Sequence, residues 1–322
     1  MADKLRLTRP WLVAVWPGMG HVALNAGIYL LAKLGMTEFA EFQAGELFDV
    51  DSVEVSGGII QSGHRPRSRF FAWADPNGRH DLVIFVGEAQ PPAGKYWFCR
   101  RVIEFARELG VERVFTFAAM ATGMHPEDDS RVFAAATDRT NLDEMKRLEL
   151  DIFEEGHIGG LNGVLLGAAA AAHLPGACLL GEMPHIFAQL PFPKASQAIL
   201  EAFATLANIE LDLTELAEQA HVVEERLGEI LARAEAEMGD DDSDDDEGEG
   251  AEEGAEEEGD EGEGSERPDA AAQRRAHRQI EALFDIAAKD RTKAFELKRE
   301  LDRHGLFKEY ENRFLDLFKK PE

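Results

Sequence analysis

The chain has 322 residues, enough for two ordinary domains or for one large domain with an appendage. Its net charge of −28 argues against nucleic acid as a partner, because an acidic body repels phosphate backbones. The charge is uneven: residues 240–266 hold 17 acids and no Lys or Arg, residues 267–322 hold 14 bases against 11 acids, and residues 1–238 carry −14.

From the start of the chain, "MADKLRLTRPWLVAVWPG" shows neither the h-region nor the small-residue cleavage site of a signal peptide, since its apolar run ends at Pro17 after a strand's length. That run, residues 11–16, is the first of four continuous apolar stretches bounded by turn signals; the others are 82–86, 114–118 and 177–180. Such runs read as strands buried on both faces of a parallel sheet. Helical periodicity fills the spaces at 20–34, 95–109 and 160–173, and the alternation is that of an α/β layer fold. Shorter strands are expected near 39–44, 53–61 and 69–73, as a mixed or antiparallel extension of the sheet. Residues 161–181 are the most membrane-like stretch, but His173 and Pro175-Gly176 interrupt it, and a buried helix, turn and strand explain it better. Cys99 and Cys178 sit in apolar surroundings without ligand-spaced neighbours, so they read as small buried hydrophobes in a reducing, cytoplasmic setting.

A helical pattern follows at 191–209 and another from Leu213 to about Met238, the second closing the domain or reaching a neighbouring subunit. The Gly, Asp and Glu tract of residues 239–266 cannot bury enough apolar surface to offset its ordering entropy, so it reads as a flexible acidic linker. Beyond it, residues 269–322 return to helical periodicity with Gly305 as a stop. Two or three short helices fit, either presenting an apolar face to a partner or forming a bundle that serves only itself. The expected domains are therefore an α/β body over 1–238, a linker over 239–268 and a helical segment over 269–322.

Several stretches could carry chemistry. Gly18 and Gly20 follow a strand and precede a helix, and Gly18-Met19-Gly20-His21-Val22-Ala23 matches the looser G-x-G-x-x-A dinucleotide pattern. No Walker Lys follows and Pro17 removes a donor, so the stretch is either a ligand cradle or a tight architectural turn. "GEAQPPAGKYWF" puts Glu88, Gln90 and Lys95 where open α/β sheets place ligands, and "ATGMHPEDDS" supplies His125 beside three acids without any HExxH or EF-hand spacing. "HIGGLNGVLLG" sets Asn162 at a helix start, and "GEMPHIFAQLPFPKA" holds His185 among prolines. The candidate ligand-binding residues are Gly18, Gly20, Gln90, His125, Asn162 and His185; no catalytic set, metal site or cofactor can be named.

Taken in order, the glycine turn, "GEAQP", the "GLNGVLLGAAA" helix and "PHIFAQLPFPKA" resemble the family of proteasome assembly chaperone 2 proteins over residues 11 to about 235. The resemblance implies a phosphorylase-like three-layer α/β/α fold that commonly self-associates. Family members characterised as chaperones bind proteasome α-subunits, some through a hydrophobic-Tyr-any residue tail. Lys320-Pro321-Glu322 does not make that motif and Tyr310 is internal, so the resemblance does not extend to tail docking. An older label ties the family to ATP-grasp enzymes, but no nucleotide cradle with paired magnesium carboxylates is visible. Two readings follow. The first is a non-catalytic, oligomeric protein-binding or assembly-chaperone-like scaffold with a tethered helical partner-binding segment. The alternative is an enzyme holding a small anionic or nucleoside-like ligand at the strand ends, with His185 as a proton carrier.

Overall fold

A computed structural model describes residues 6–49, 53–56, 58–61, 65–241 and 268–319. The first apolar run forms β1 (Trp11–Val15), whose alternate residues face opposite helical layers. Val13 and Val15 pack with the helix that follows, α1 (Val22–Lys33), while Leu12 and Ala14 pack with α2 (Lys95–Glu108) and α4 (Gly160–Ala171). The same division holds along β6 (Leu82–Gly87), β7 (Arg113–Thr122) and β10 (Gly176–Pro184), so all four runs are apolar on both faces because both faces are covered. Two cores result, one on each side of the sheet.

The remaining strands are β2 (Thr37–Glu41), β5 (Ser68–Trp73), β8 (Val132–Ala136) and β9 (Asp151–Ile152), giving an eight-stranded sheet in the order β2-β5-β6-β1-β7-β10-β8-β9. β6, β1, β7 and β10 are mutually parallel, and β5 and β8 flank them in the opposite direction. This mixed, mostly parallel sheet is the α/β layer fold that the alternating pattern predicts, in the three-layer α/β/α form that the family resemblance implies. Residues near 37–41 and 68–73 do extend the sheet with antiparallel strands. The stretch between them does not join it: β3 (Glu54–Ser56) and β4 (Ile59–Gln61) pair only with each other.

One region carries more regular structure than its pattern announced. After β8, Asp138 accepts a hydrogen bond from Asn141 N at 3.0 Å and starts α3 (Arg139–Arg147), which leads into β9. α5 (Pro193–Ala207) and α6 (Thr214–Asp241) complete the layer shared with α1; Tyr29 Oη donates to Asp212 O at 2.7 Å, and Lys33 pairs with Glu215 at 2.9 Å. Among the described residues no helix is long and apolar enough to cross a membrane. Nearly all of the acidic linker falls outside the described residues.

The C-terminal residues form α7 (Pro268–Lys289), α8 (Ala294–Arg303) and α9 (Phe307–Asp316), with Gly305 ending α8 at φ +67°. They neither stand apart from the body nor pack only on one another. Phe295 meets Tyr29 of α1 edge-on with ring centroids 4.5 Å apart, and Ile280, Leu297, Leu301, Phe314 and Leu315 belong to the same core as α1 and α5. The apolar face that the sequence leaves open is thus covered by the chain's own body, because an amphipathic face with a complementary surface in reach buries it.

Candidate functional site

The carboxyl ends of β1, β6, β7 and β10 converge on one rim, the usual ligand position in open α/β sheets. Two groups of the candidate residues lie there. Gly18, Gly20, Gln90 and Asn162 gather around the turn after β1, and His185 lies against the end of β7.

In the first group, two of the turn's amides, those of Gly20 and His21, are already engaged. Gly20 N donates to Ala188 O and Gly20 O accepts from Phe192 N, both at 2.9 Å, while His21 N closes the turn onto Gly18 O at 3.0 Å. Gly20 adopts φ +59°, and a Cβ there would lie 2.6 Å from Met183 Sδ. Gly18 is extended and exposed, and a Cβ on it would meet nothing within 4 Å. Gln90 is a strut: its Nε2 donates to Pro17 O at 3.2 Å and its Oε1 accepts from Leu161 N at 3.1 Å, tying the β1 turn to the start of α4. Asn162 is buried; its main-chain carbonyl accepts from Thr116 Oγ1 at 3.2 Å, and its Oδ1 has no hydrogen-bond partner.

In the second group, His185 is exposed and its Nδ1 lies 2.9 Å from Thr122 O, so that nitrogen carries the proton. His125 is exposed in a polar turn: its main-chain N donates to Asp128 Oδ2 at 2.9 Å, and its Nδ1 accepts from Glu127 N at 3.3 Å. Beside them is a cleft of about 380 Å³ lined by Thr122, Gly123, Met124, Asp128, Asp129, Arg131 and Glu182. Glu182 is buried and takes two 2.8 Å bonds from Arg131 and one from Thr122 Oγ1, also at 2.8 Å. The Arg131 guanidinium holds the Glu182 carboxyl below its ordinary range. A carboxylate held ionised in this way is a weak base, so Glu182 with Arg131 suits a structural ion pair better than proton abstraction. Burial pushes the thiols of Cys99 and Cys178 up to about 12, which leaves neither a ready nucleophile at neutral pH. Among the described residues no group of three or more His, Cys, Asp or Glu side chains is placed to hold a metal ion.

Beside these polar groups the rim exposes three large apolar side chains. Met19, Ile186 and Leu190 are 43, 53 and 43 % exposed, on two segments held side by side by the bonds from Gly20 to Ala188 and Phe192. Single exposed apolar residues need no explanation, but three on adjoining segments form a patch.

A second cluster escapes the sequence reading. Arg69 of β5 is fully buried and reaches Asp316 at 2.7 Å, Glu88 at 3.3 Å and Asn312, while Lys308 Nζ donates to Glu88 O at 2.8 Å. Lys298 of α8 is buried against Asn25 of α1 at 2.9 Å and also pairs with Asp302. Charged residues set into apolar runs, "SRFFAW" and "AFELKREL", are the only signal that could have pointed to it.

The fold is an α/β/α body with a mixed, mostly parallel sheet and added C-terminal helices. Residues 12–231 match the model of the PAC2 family, and the chain belongs to that family. It is similar to PbaB of Pyrococcus furiosus, an archaeal proteasome activator, at 25 % identity and a TM-score of 0.61, with 71 % of this chain and 96 % of PbaB covered. It shares its fold with the proteasome-assembly chaperone homologue Rv2125 of Mycobacterium tuberculosis, at 21 % identity and a TM-score of 0.60, with 68 and 94 % covered. The uncharacterized protein MJ1210 of Methanocaldococcus jannaschii is 28 % identical over 232 residues, which are 70 % of this chain and 84 % of MJ1210.

Proposed function

We propose that the protein is a non-catalytic, protein-binding scaffold that acts on the assembly or activity of a larger protein complex, in the manner of the activator and chaperone homologues it resembles. The observation that carries this reading is the make-up of the strand-end rim. Several of its polar groups, Gly20, Gln90 and Glu182 among them, are engaged within the protein, and its outward face also carries Met19, Ile186 and Leu190. A rim of this kind offers contact area and little chemistry. The covered length of PbaB supports the same reading, and it makes proteasome core subunits the first partners to try.

The test is capture with the full chain followed by reconstitution from purified components. Stoichiometric co-elution with one protein, and a change in that protein's assembly or activity, is the expected result. Co-elution with none at tens of micromolar would overturn the reading.

A further inference from the structure

The cleft beside His185 shares one wall with a second cleft of about 380 Å³, whose apolar lining includes Val132, Leu148, Leu150 and Ala198; Arg131 belongs to both. Both lie at the rim, since Val132 pairs with Gly181 near the end of β10 and Phe133 pairs with Asp151 of β9. Their charge is one-sided. Together the linings hold Asp128, Asp129, Glu149, Asp151, Glu182 and Glu201 against Arg131 alone. Arg131 is already engaged: its two 2.8 Å bonds neutralise Glu182, and it reaches Asp151 at 3.5 Å. Neighbouring bases do not restore the balance. Lys194 pairs with Glu224 at 3.1 Å, Arg147 bonds back to Asp143 O at 3.2 Å, and neither Lys146 nor Arg147 lines a cleft. Carboxylates gathered in concave sites focus their field outward, so the clefts attract cations more strongly than the same charges spread over a flat acidic surface. The exposed apolar residues adjoin them. The 2.9 Å contact of His185 Nδ1 with Thr122 O joins the segment carrying Ile186 and Leu190 to the wall of the first cleft, and Met183, next to Glu182, packs against Gly20 beside Met19.

We propose that this rim docks a segment of a partner protein in which a large apolar residue lies beside lysines or arginines. Met19, Ile186 and Leu190 receive the apolar residue, and the two clefts that share Arg131 receive the cations. Asp129 and Glu149, exposed in different clefts, are the carboxylates most open to such a contact. Apolar contact supplies the affinity, while the carboxylates orient the segment, speed its encounter and reject acidic competitors. This rests on the protein-binding reading above and adds to it the chemistry of the segment that is bound.

The experiment selects binders of the full chain from a random peptide library at physiological ionic strength, and measures the selected peptides, made synthetically, by fluorescence anisotropy. They are expected to combine a large apolar residue with lysines or arginines, and to bind at micromolar concentrations. Asp129→Asn together with Glu149→Gln is expected to weaken that binding about tenfold, and Ile186→Ser by a similar factor. Glu104→Gln together with Glu108→Gln removes two exposed acids of α2, in the opposite helical layer, and is expected to change it less than about twofold. Selected peptides that are neutral or acidic, the selection of none, binding indifferent to the rim substitutions, or binding that the rim and α2 variants weaken equally would each overturn the proposal. Because the probe is a peptide library, failure here leaves the scaffold reading standing, and failure of capture leaves this result standing.

Discussion

Gly18 and Gly20 differ by one intervening residue and look equivalent as letters, yet their backbones make opposite demands. Gly18 is extended with open space around it, whereas Gly20 sits at φ +59° with Met183 where a Cβ would go. Gly18→Ala is therefore expected to change stability by no more than about 0.5 kcal/mol, and Gly20→Ala to lower it by roughly 1–3 kcal/mol, both read from chemical denaturation. The G-x-G-x-x-A spacing is visible in sequence; what is not visible is that the Gly20 amide is aimed at Ala188, because that bond joins residues 168 apart in chain order. Gln90 shows the same limit. Its place at a strand end was legible, but its two bonds to Pro17 and Leu161 depend on how β1 and α4 are placed in the folded chain. Gln90→Ala is expected to cost about 1–3 kcal/mol by leaving both partners unpaired. A Gln90→Ala chain of unchanged stability would show that the strut bears no load.

At the scale of elements, the apolar runs announced the central strands because burial on both faces leaves no room for alternation. Helix α3 and strands β8 and β9 were missed since they lie at the sheet's far edge, where half-buried residues give weak patterns. The capping Asp138, three positions before Asn141, was the available sign of α3. The C-terminal helices were legible as helices, but not where they dock. Their docking should depend on pH through Glu311. Burial pushes its carboxyl from an ordinary 4.5 up to about 7, against the pull of Lys308; Glu88 adds to the rise and Lys298 opposes it. The docked state then holds a proton that the undocked state releases. Its contribution is full below about pH 4.5 and is lost as pH rises through 7, at about 1.4 kcal/mol per pKa unit. Hydrogen exchange on α8 and α9 is expected to quicken from pH 5 to 8 beyond the intrinsic rate, and Glu311→Gln is expected to remove most of that rise. An unchanged rise in the variant would remove Glu311 as its source.

The whole molecule joins a body that belongs to the PAC2 family with C-terminal helices that lie beyond the family match and cover one face of that body. Composition and charge pointed to that division, since the acidic run separates two stretches of opposite balance. They could not show that the third part folds back on the first. The measurement that bears most directly on a binding role compares capture by the full chain with capture by the same chain carrying Met19→Asp and Leu190→Asp. Both positions are exposed, so the fold should tolerate the charges while the apolar rim is lost. A protein recovered in stoichiometric amount by the native chain, reduced at least tenfold by the variant and reconstituted from purified components, is the expected result. Equal recovery by both chains, or none by either, would contradict it.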